Sequence, residues 1–189
     1  MIKDYNLQKI SAVLSEGGTI LYPTDTIWGI GCDATNYNAV QKVIEIKQRK
    51  NHDGFIIFVD SIQMLKQYVE EVHPKIETLM AYHTQPLTVI YKKGINLPDN
   101  VTAKNGSIAI RIPQDTFCKE LIQYFGKPIV STSANISSEP YPVNFGTVSS
   151  EIFTKIDHVV KHRQYEKTIN QPSVLVELNE KAEMVFVRQ

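Results

Sequence analysis

Residues 22–31, Tyr22-Pro23-Thr24-Asp25-Thr26-Ile27-Trp28-Gly29-Ile30-Gly31, put hydroxyls, a carboxylate and two glycines at the end of an apolar run. An apolar run that stops there reads as a strand, and α/β proteins build ligand sites beyond strand ends. Two later segments carry similar groups. In Ser107-Ile108-Ala109-Ile110-Arg111, the strand period of two puts Ser107, Ala109 and Arg111 on one face, so a hydroxyl and a guanidinium flank a small residue. If Ser131-Thr132-Ser133-Ala134-Asn135 continues extended, Ser131, Ser133 and Asn135 also share a side. One such row alone is the polar outer face of an antiparallel sheet. Two rows together with a Thr-Asp-Thr turn favour a shared cleft.

Lys47 and Arg49 sit in the last turn expected of a helix, where the helix dipole favours cations by roughly 0.3–1 kcal/mol. Lys47 nevertheless continues that helix's apolar stripe. It therefore either snorkels or enters a concavity, where a Lys and an Arg could grip a triphosphate. Asp25 reads as a turn residue accepting backbone amides, and Trp28 as a wall of the core rather than a stacking platform. Cys32 and Cys118 are far apart and lack metal-site spacing, so they read as small buried hydrophobes.

The elements that must hold these groups follow from periodicity. Leu7, Ile10, Val13 and Leu14 predict a helix that Gly17-Gly18 stops, and Thr19–Tyr22 a first strand. Asn36 or Asn38 can cap a helix buried through Ala39, Val40, Val43 and Ile44. Phe55–Val59 is a strand run, followed by helical spacing at Ile62, Leu65, Tyr68, Val69 and Val72 and a short helix holding Ile76, Leu79 and Met80. Residues 86–91 and 107–111 read as strands, Asp115 starts a helix that ends at Gly126-Lys127-Pro128, and Ile129–Thr132 is a strand. Residues 137–146 are loop, and strands over 173–178 and 183–188 close the sheet.

The 189 residues are 42% hydrophobic with no low-complexity tract, as expected of one ordinary globular domain spanning 1–189. Twenty basic and twenty acidic residues cancel, which leaves no global field for non-specific nucleic-acid binding. No apolar segment approaches the roughly 20 residues of a membrane helix, and a cytoplasmic protein without membrane contact is expected. The architecture these elements imply is a mixed, twisted sheet flanked by helices.

In order along the chain stand a Pro23-Thr24-Asp25-Thr26 turn, Lys47-x-Arg49, Pro86-Leu87-Thr88, Ala109-Ile110-Arg111 and Ser133-x-Asn135. With these motifs the chain resembles the YrdC/TsaC family of threonylcarbamoyl-adenylate synthases. The resemblance extends through Pro172-Ser173-Val174 to Phe186-Val187-Arg188, without the additional C-terminal domain of longer relatives. It implies an α/β YrdC-like fold with a concave, locally basic cleft. The reaction it implies condenses L-threonine, bicarbonate and ATP to threonylcarbamoyl-adenylate and pyrophosphate for N6-threonylcarbamoyladenosine in tRNA.

By motif position, Thr26, Arg111, Ser131 and Ser173 would hold threonine, with Arg111 bidentate on its carboxylate. Lys47, Arg49, Ser107, Ser133, Asn135, Tyr141 and Arg188 would surround ATP, with Lys47 and Arg49 the catalytic cations. No dedicated protein metal site is implied; Mg2+ would arrive with the nucleotide, with Asp25 the nearest acidic group. Implied partners are the tRNA-modification proteins that receive the adenylate, with possible direct RNA contact.

The chain departs from the family pattern after Lys47, where Phe58 replaces a histidine that would help hold threonine, and Asp53 replaces a neutral amide near the phosphates. His52 could substitute from the loop. Gln85 and Gln189 stand where family members carry glycine. Two alternatives stay open: a non-catalytic module binding double-stranded RNA, and a diverged family enzyme with a different acceptor.

Overall fold

A computed structural model describes residues 4–50, 53–168 and 170–188. His52 and Gln189, singled out above, lie outside the described residues. The chain begins with α1 (Leu7–Ser15), β1 (Ile20–Tyr22), β2 (Gly29–Gly31) and α2 (Tyr37–Ile46), followed by β3 (Ile56–Phe58), α3 (Ile62–Leu65) and α4 (Pro74–Tyr82). Then come β4 (Leu87–Tyr91), β5 (Ile108–Arg111), α5 (Thr116–Phe125) and β6 (Ile129–Ser133). A 3-10 turn (Phe145–Thr147), α6 (Ser150–Lys155), β7 (His158–Val159), β8 (Val174–Leu178) and β9 (Met184–Arg188) complete it.

The nine strands form one mixed sheet in the order β7-β1-β2-β6-β3-β5-β4-β8-β9. Three neighbouring pairs are parallel, β1 with β7, β3 with β5 and β4 with β8. Helices cover both faces. Ile10 and Leu14 of α1 pack with Phe117, Leu121 and Ile122 of α5 against Ile20, Tyr22 and Phe58. On the other face Val40 and Val43 of α2, Leu65 of α3 and Ile76 of α4 pack with Leu21, Ile30, Ile57 and Val89. Strand alternation thus sends Tyr22 and Leu21, or Phe58 and Ile57, to opposite layers.

Local chemistry sets the ends of the helices. The Asn36 side chain accepts the N–H groups of Asn38 and Ala39, and Asp115 accepts that of Cys118. Gly126 closes α5 in the left-handed conformation, φ 77°.

The observed elements depart from the sequence expectations in several places. The run after Tyr22 does not simply stop: the chain turns over 23–28 and returns as β2, antiparallel to β1 and β6. At Gly31 a Cβ would lie 2.7 Å from the Tyr22 ring and 2.9 Å from the Val130 carbonyl oxygen, so this close strand passage requires glycine. α2 ends at Ile46, with Lys47 as its C-cap and Gln48 at φ 50°, so Arg49 lies beyond the helix rather than in its last turn. The helical spacing through Val72 is realised only over Ile62–Leu65, because residues 68–70 instead bond through their backbone to residues 93–95. α6 and β7 arise in a stretch without a clear periodic signal.

Candidate functional site

The 23–28 turn is wired by its own side chains. Thr24 Oγ1 donates to the Ile27 carbonyl (2.8 Å), accepts the Thr26 N–H (3.1 Å) and lies 2.9 Å from Thr26 Oγ1. Asp25 faces β5: its Oδ1 pairs with Arg111 Nη2 at 2.5 Å, and its Oδ2 accepts the Gln114 N–H at 2.8 Å. Arg111 Nη1 donates to Thr26 Oγ1 at 3.0 Å, while its guanidinium lies over the Phe58 ring, 5.2 Å from the centroid. Arg111 is only 2% exposed, and its Nε is buried with no hydrogen-bond partner among the described residues. Asp25 therefore does accept a backbone amide, as a turn residue should, but it also orients the guanidinium.

A cavity of about 240 Å³ opens above this group. Thr26, Arg49, Arg111, Ser131, Ser133, Tyr141, Ser173 and Arg188 all line it, so most of the sequence-predicted set converges on one cleft. Phe58, Phe55, Ile56 and Pro172 give it apolar walls. Gly54 lines it too; its φ of 71° and the 2.7 Å approach of the Ala103 nitrogen to a Cβ built there leave no room for a side chain.

Lys47 and Asn135 do not line this cleft. They lie in an adjoining groove with Lys50 and Asp53, and that groove shares Arg49 and Ser133 with the cleft. Lys47 is 4% exposed and turned inward, its Nζ donating to the carbonyl oxygens of Ser133 (2.6 Å) and Asn135 (2.8 Å) and approaching Asn135 Oδ1 at 3.3 Å. Burial, reinforced by Arg49, pulls its pKa down to about 7. The Asn135 amide nitrogen donates to the carbonyls of Ile136 and Glu139. As placed, both side chains build the loop after β6 rather than reach outward. Arg49 stacks on Phe55, 4.4 Å from the ring centroid, on the boundary of the two concavities.

Ser107 lines neither concavity. It precedes β5 in a turn where its N–H meets Asn105 Oδ1 and its carbonyl accepts the Ala103 N–H. The predicted alternation holds for Ala109 and Arg111 but runs out one residue too early for Ser107, because the strand begins at Ile108. Trp28 is buried against Phe145, with centroids 4.8 Å apart, and serves as core wall. Cys32 and Cys118 are buried free thiols.

Further contacts support the cleft from outside its lining. Arg163 reaches from the β7–β8 connection to donate to the Thr24 carbonyl at 3.1 Å, and no local pattern announces it. Thr88 bonds to Ser173 beneath the cleft at 2.7 Å, and the Pro-Leu-Thr motif was its signal. Arg188 donates through Nε and Nη2 to the Ser173 carbonyl at 3.1 and 3.0 Å. Burial and the neighbouring Arg111 pull the Arg188 pKa down, opposed by Tyr141. Among the described residues no cluster of His, Cys, Asp and Glu suits a metal ion, and no helix is long and apolar enough to cross a membrane.

A family model named for Sua5, YciO and YrdC, and described as Telomere recombination, matches residues 12–189. A curated threonylcarbamoyl-AMP synthase of Pseudoalteromonas translucida is 33% identical over 150 residues, which are 78% of this chain and 80% of the relative. Among solved structures, Pyrococcus abyssi Sua5 complexed with L-threonine superposes with a TM-score of 0.87 at 26% identity, covering all of this chain and 55% of that longer protein. Escherichia coli YciO superposes with a TM-score of 0.83 at 22% identity, over 97% and 88% of the two chains, and shares the fold.

Proposed function

The chain belongs to the Sua5/YciO/YrdC family, and from that premise we propose that it condenses L-threonine, bicarbonate and ATP into threonylcarbamoyl-AMP and pyrophosphate. The product is the activated donor for N6-threonylcarbamoyladenosine in tRNA. The observation that carries this reading is the convergence of Thr26, Arg111, Ser131, Ser173 and Arg188 on one cleft, with Arg49 at its junction with a second groove. A zwitterionic amino acid and a polyanion are the ligands that such donors recognise.

Among the described residues, the lining includes no Ser/His pair or other activated nucleophile. The reaction runs instead through the substrates. The threonine amine attacks bicarbonate with loss of water to give a carbamate. A carbamate oxygen then bonds to the α-phosphorus of ATP as the bond to the bridging oxygen breaks and pyrophosphate leaves. Arg111 holds the amino-acid carboxylate beside Thr26, Ser131 and Ser173. Arg49, Ser133, Tyr141 and Arg188 border the nucleotide, and Lys47 with Asn135 shapes the loop beneath it. Positioning and charge neutralisation dominate such catalysis.

Mg2+ fits as a passenger on the triphosphate rather than a protein-held ion. Asp25 is committed to Arg111 and the Gln114 amide, so phosphates and water supply the ligands. When bound, the ion neutralises phosphate charge. The product passes to tRNA-modification proteins in the cytoplasm. A purely RNA-binding role is less favoured, since the curated relatives carry an enzyme name and the chain has no net charge.

The test is pyrophosphate release from ATP and magnesium, omitting L-threonine and bicarbonate in turn, with mass spectrometry of the adenylate. Release that requires both components is expected. ATP consumption indifferent to threonine would overturn the reading.

A further inference from the structure

We propose that Thr88 is a positioning residue that turns the Ser173 hydroxyl into a hydrogen-bond donor aimed into the cleft, where it takes a carboxylate oxygen of the amino-acid substrate. This rests on the function proposed above and adds a residue and a donor polarity to it.

Thr88 is fully buried in β4, between Arg111 on β5 and Leu175 on β8. Its Oγ1 lies 2.7 Å from Ser173 Oγ, and among the described residues that is the hydrogen-bond partner found for it. A hydroxyl sealed from water needs an acceptor for its proton, so Thr88 donates and Ser173 accepts. On the other side of Ser173, Arg188 Nη2 lies 3.4 Å from the same oxygen, and a guanidinium can only donate. Ser173 Oγ thus faces donors on both sides, and its own proton must leave in a third direction. Ser173 lines the cleft, and no described acceptor receives that proton.

What the cleft must supply is an oxygen that accepts without needing to donate. Arg111 stands directly opposite Thr88 in the β4–β5 register, so a second cationic donor approaches from the adjacent strand. An ammonium or a hydroxyl proton would be repelled at that point, whereas an oxyanion satisfies both donors. Carboxylate and phosphate share this chemistry. Kinetics separates the two sources, since a carboxylate contact moves the KM for threonine and a phosphate contact the KM for ATP.

The experiment compares Thr88→Val, Thr88→Ser, Ser173→Ala and the Val/Ala double variant by steady-state kinetics and by calorimetric binding of L-threonine. Thr88→Val keeps the shape and removes the donor. It should raise KM and Kd for threonine about 10-fold, leave KM for ATP unchanged, and be rescued by Thr88→Ser. The double variant should bind threonine no worse than Ser173→Ala alone, since both changes remove one interaction. Wild-type affinity in Thr88→Val, a shift in KM for ATP instead, or full additivity in the double variant would each overturn the assignment. Should Thr88→Val fail to fold, Thr88→Ala removes the same donor without adding volume and carries the same expectations. If the wild-type protein binds no threonine, the functional reading fails before any variant is compared, and this assignment falls with it.

Discussion

The floor of the cleft and its adjoining groove use cations in opposite ways. On the floor, Arg111 is locked from several directions, by Asp25, by Thr26 and by the face of Phe58, and those partners are themselves held by Gln114 and Thr24. At the groove, Lys47 is spent on backbone carbonyls, while Arg49 rests on Phe55 beyond the end of its helix. The contrast teaches a division of labour. A small zwitterion needs a guanidinium preset in one orientation, because misplacement forfeits bidentate geometry. A flexible polyanion is served by a cation that can follow it.

The harshest way to break the contrast is Arg111→Ala. It should lower kcat/KM for threonine about 100-fold or more and destabilise the fold by roughly 3 kcal/mol, because the Asp25 carboxylate loses its partner in a largely buried setting. Kinetics with denaturant unfolding checks both effects. Arg111→Lys should recover stability better than activity, since an ammonium has no fork. Next in size is Asp25→Asn, which keeps the shape of the side chain but frees the guanidinium to swing. Threonine KM should rise about 10-fold with ATP KM little changed, and equal effects on both substrates would contradict the division.

Arg49→Ala should give the mirror image at smaller scale. ATP KM should rise about 5-fold and threonine KM stay near wild type, measured by varying each substrate at saturation of the other.

Lys47 sharpens the comparison through pH. In the fold this amine titrates at about 7, against its usual 10.5. Between those values the unfolded chain holds a proton that the folded chain has released, so this residue makes stability rise with pH across that window. The unfolding free energy of the wild type relative to Lys47→Met should therefore increase from pH 7 to pH 9. A flat or falling difference would mean that Lys47 stays an ammonium, held charged by its carbonyl partners.

The sequence by itself determined the chemistry-bearing motifs, most of the strands and their inward faces, and the helix ends at Asp115 and Gly126, and it narrowed the cap of α2 to Asn36 or Asn38. Those features depend on period, propensity and hydrogen bonds within a few residues. The alternation rule also placed Arg111 on the cleft face, because a strand's two sides follow from residue parity alone. Period could not say where β5 begins, so Ser107 was assigned one residue outside the strand. It put Lys47 on the apolar stripe but could not name what holds it there, since its partners Ser133 and Asn135 lie 86 and 88 residues away. Similar separations, 86 and 85 residues, divide Asp25 from Arg111 and Thr88 from Ser173, pairs joined only by strand order in the sheet. Residue types and local spacing wrote the list of donors. Tertiary structure decided which donors are free to meet a ligand, because a hydrogen-bonding group is spent or available only according to what the fold has brought beside it.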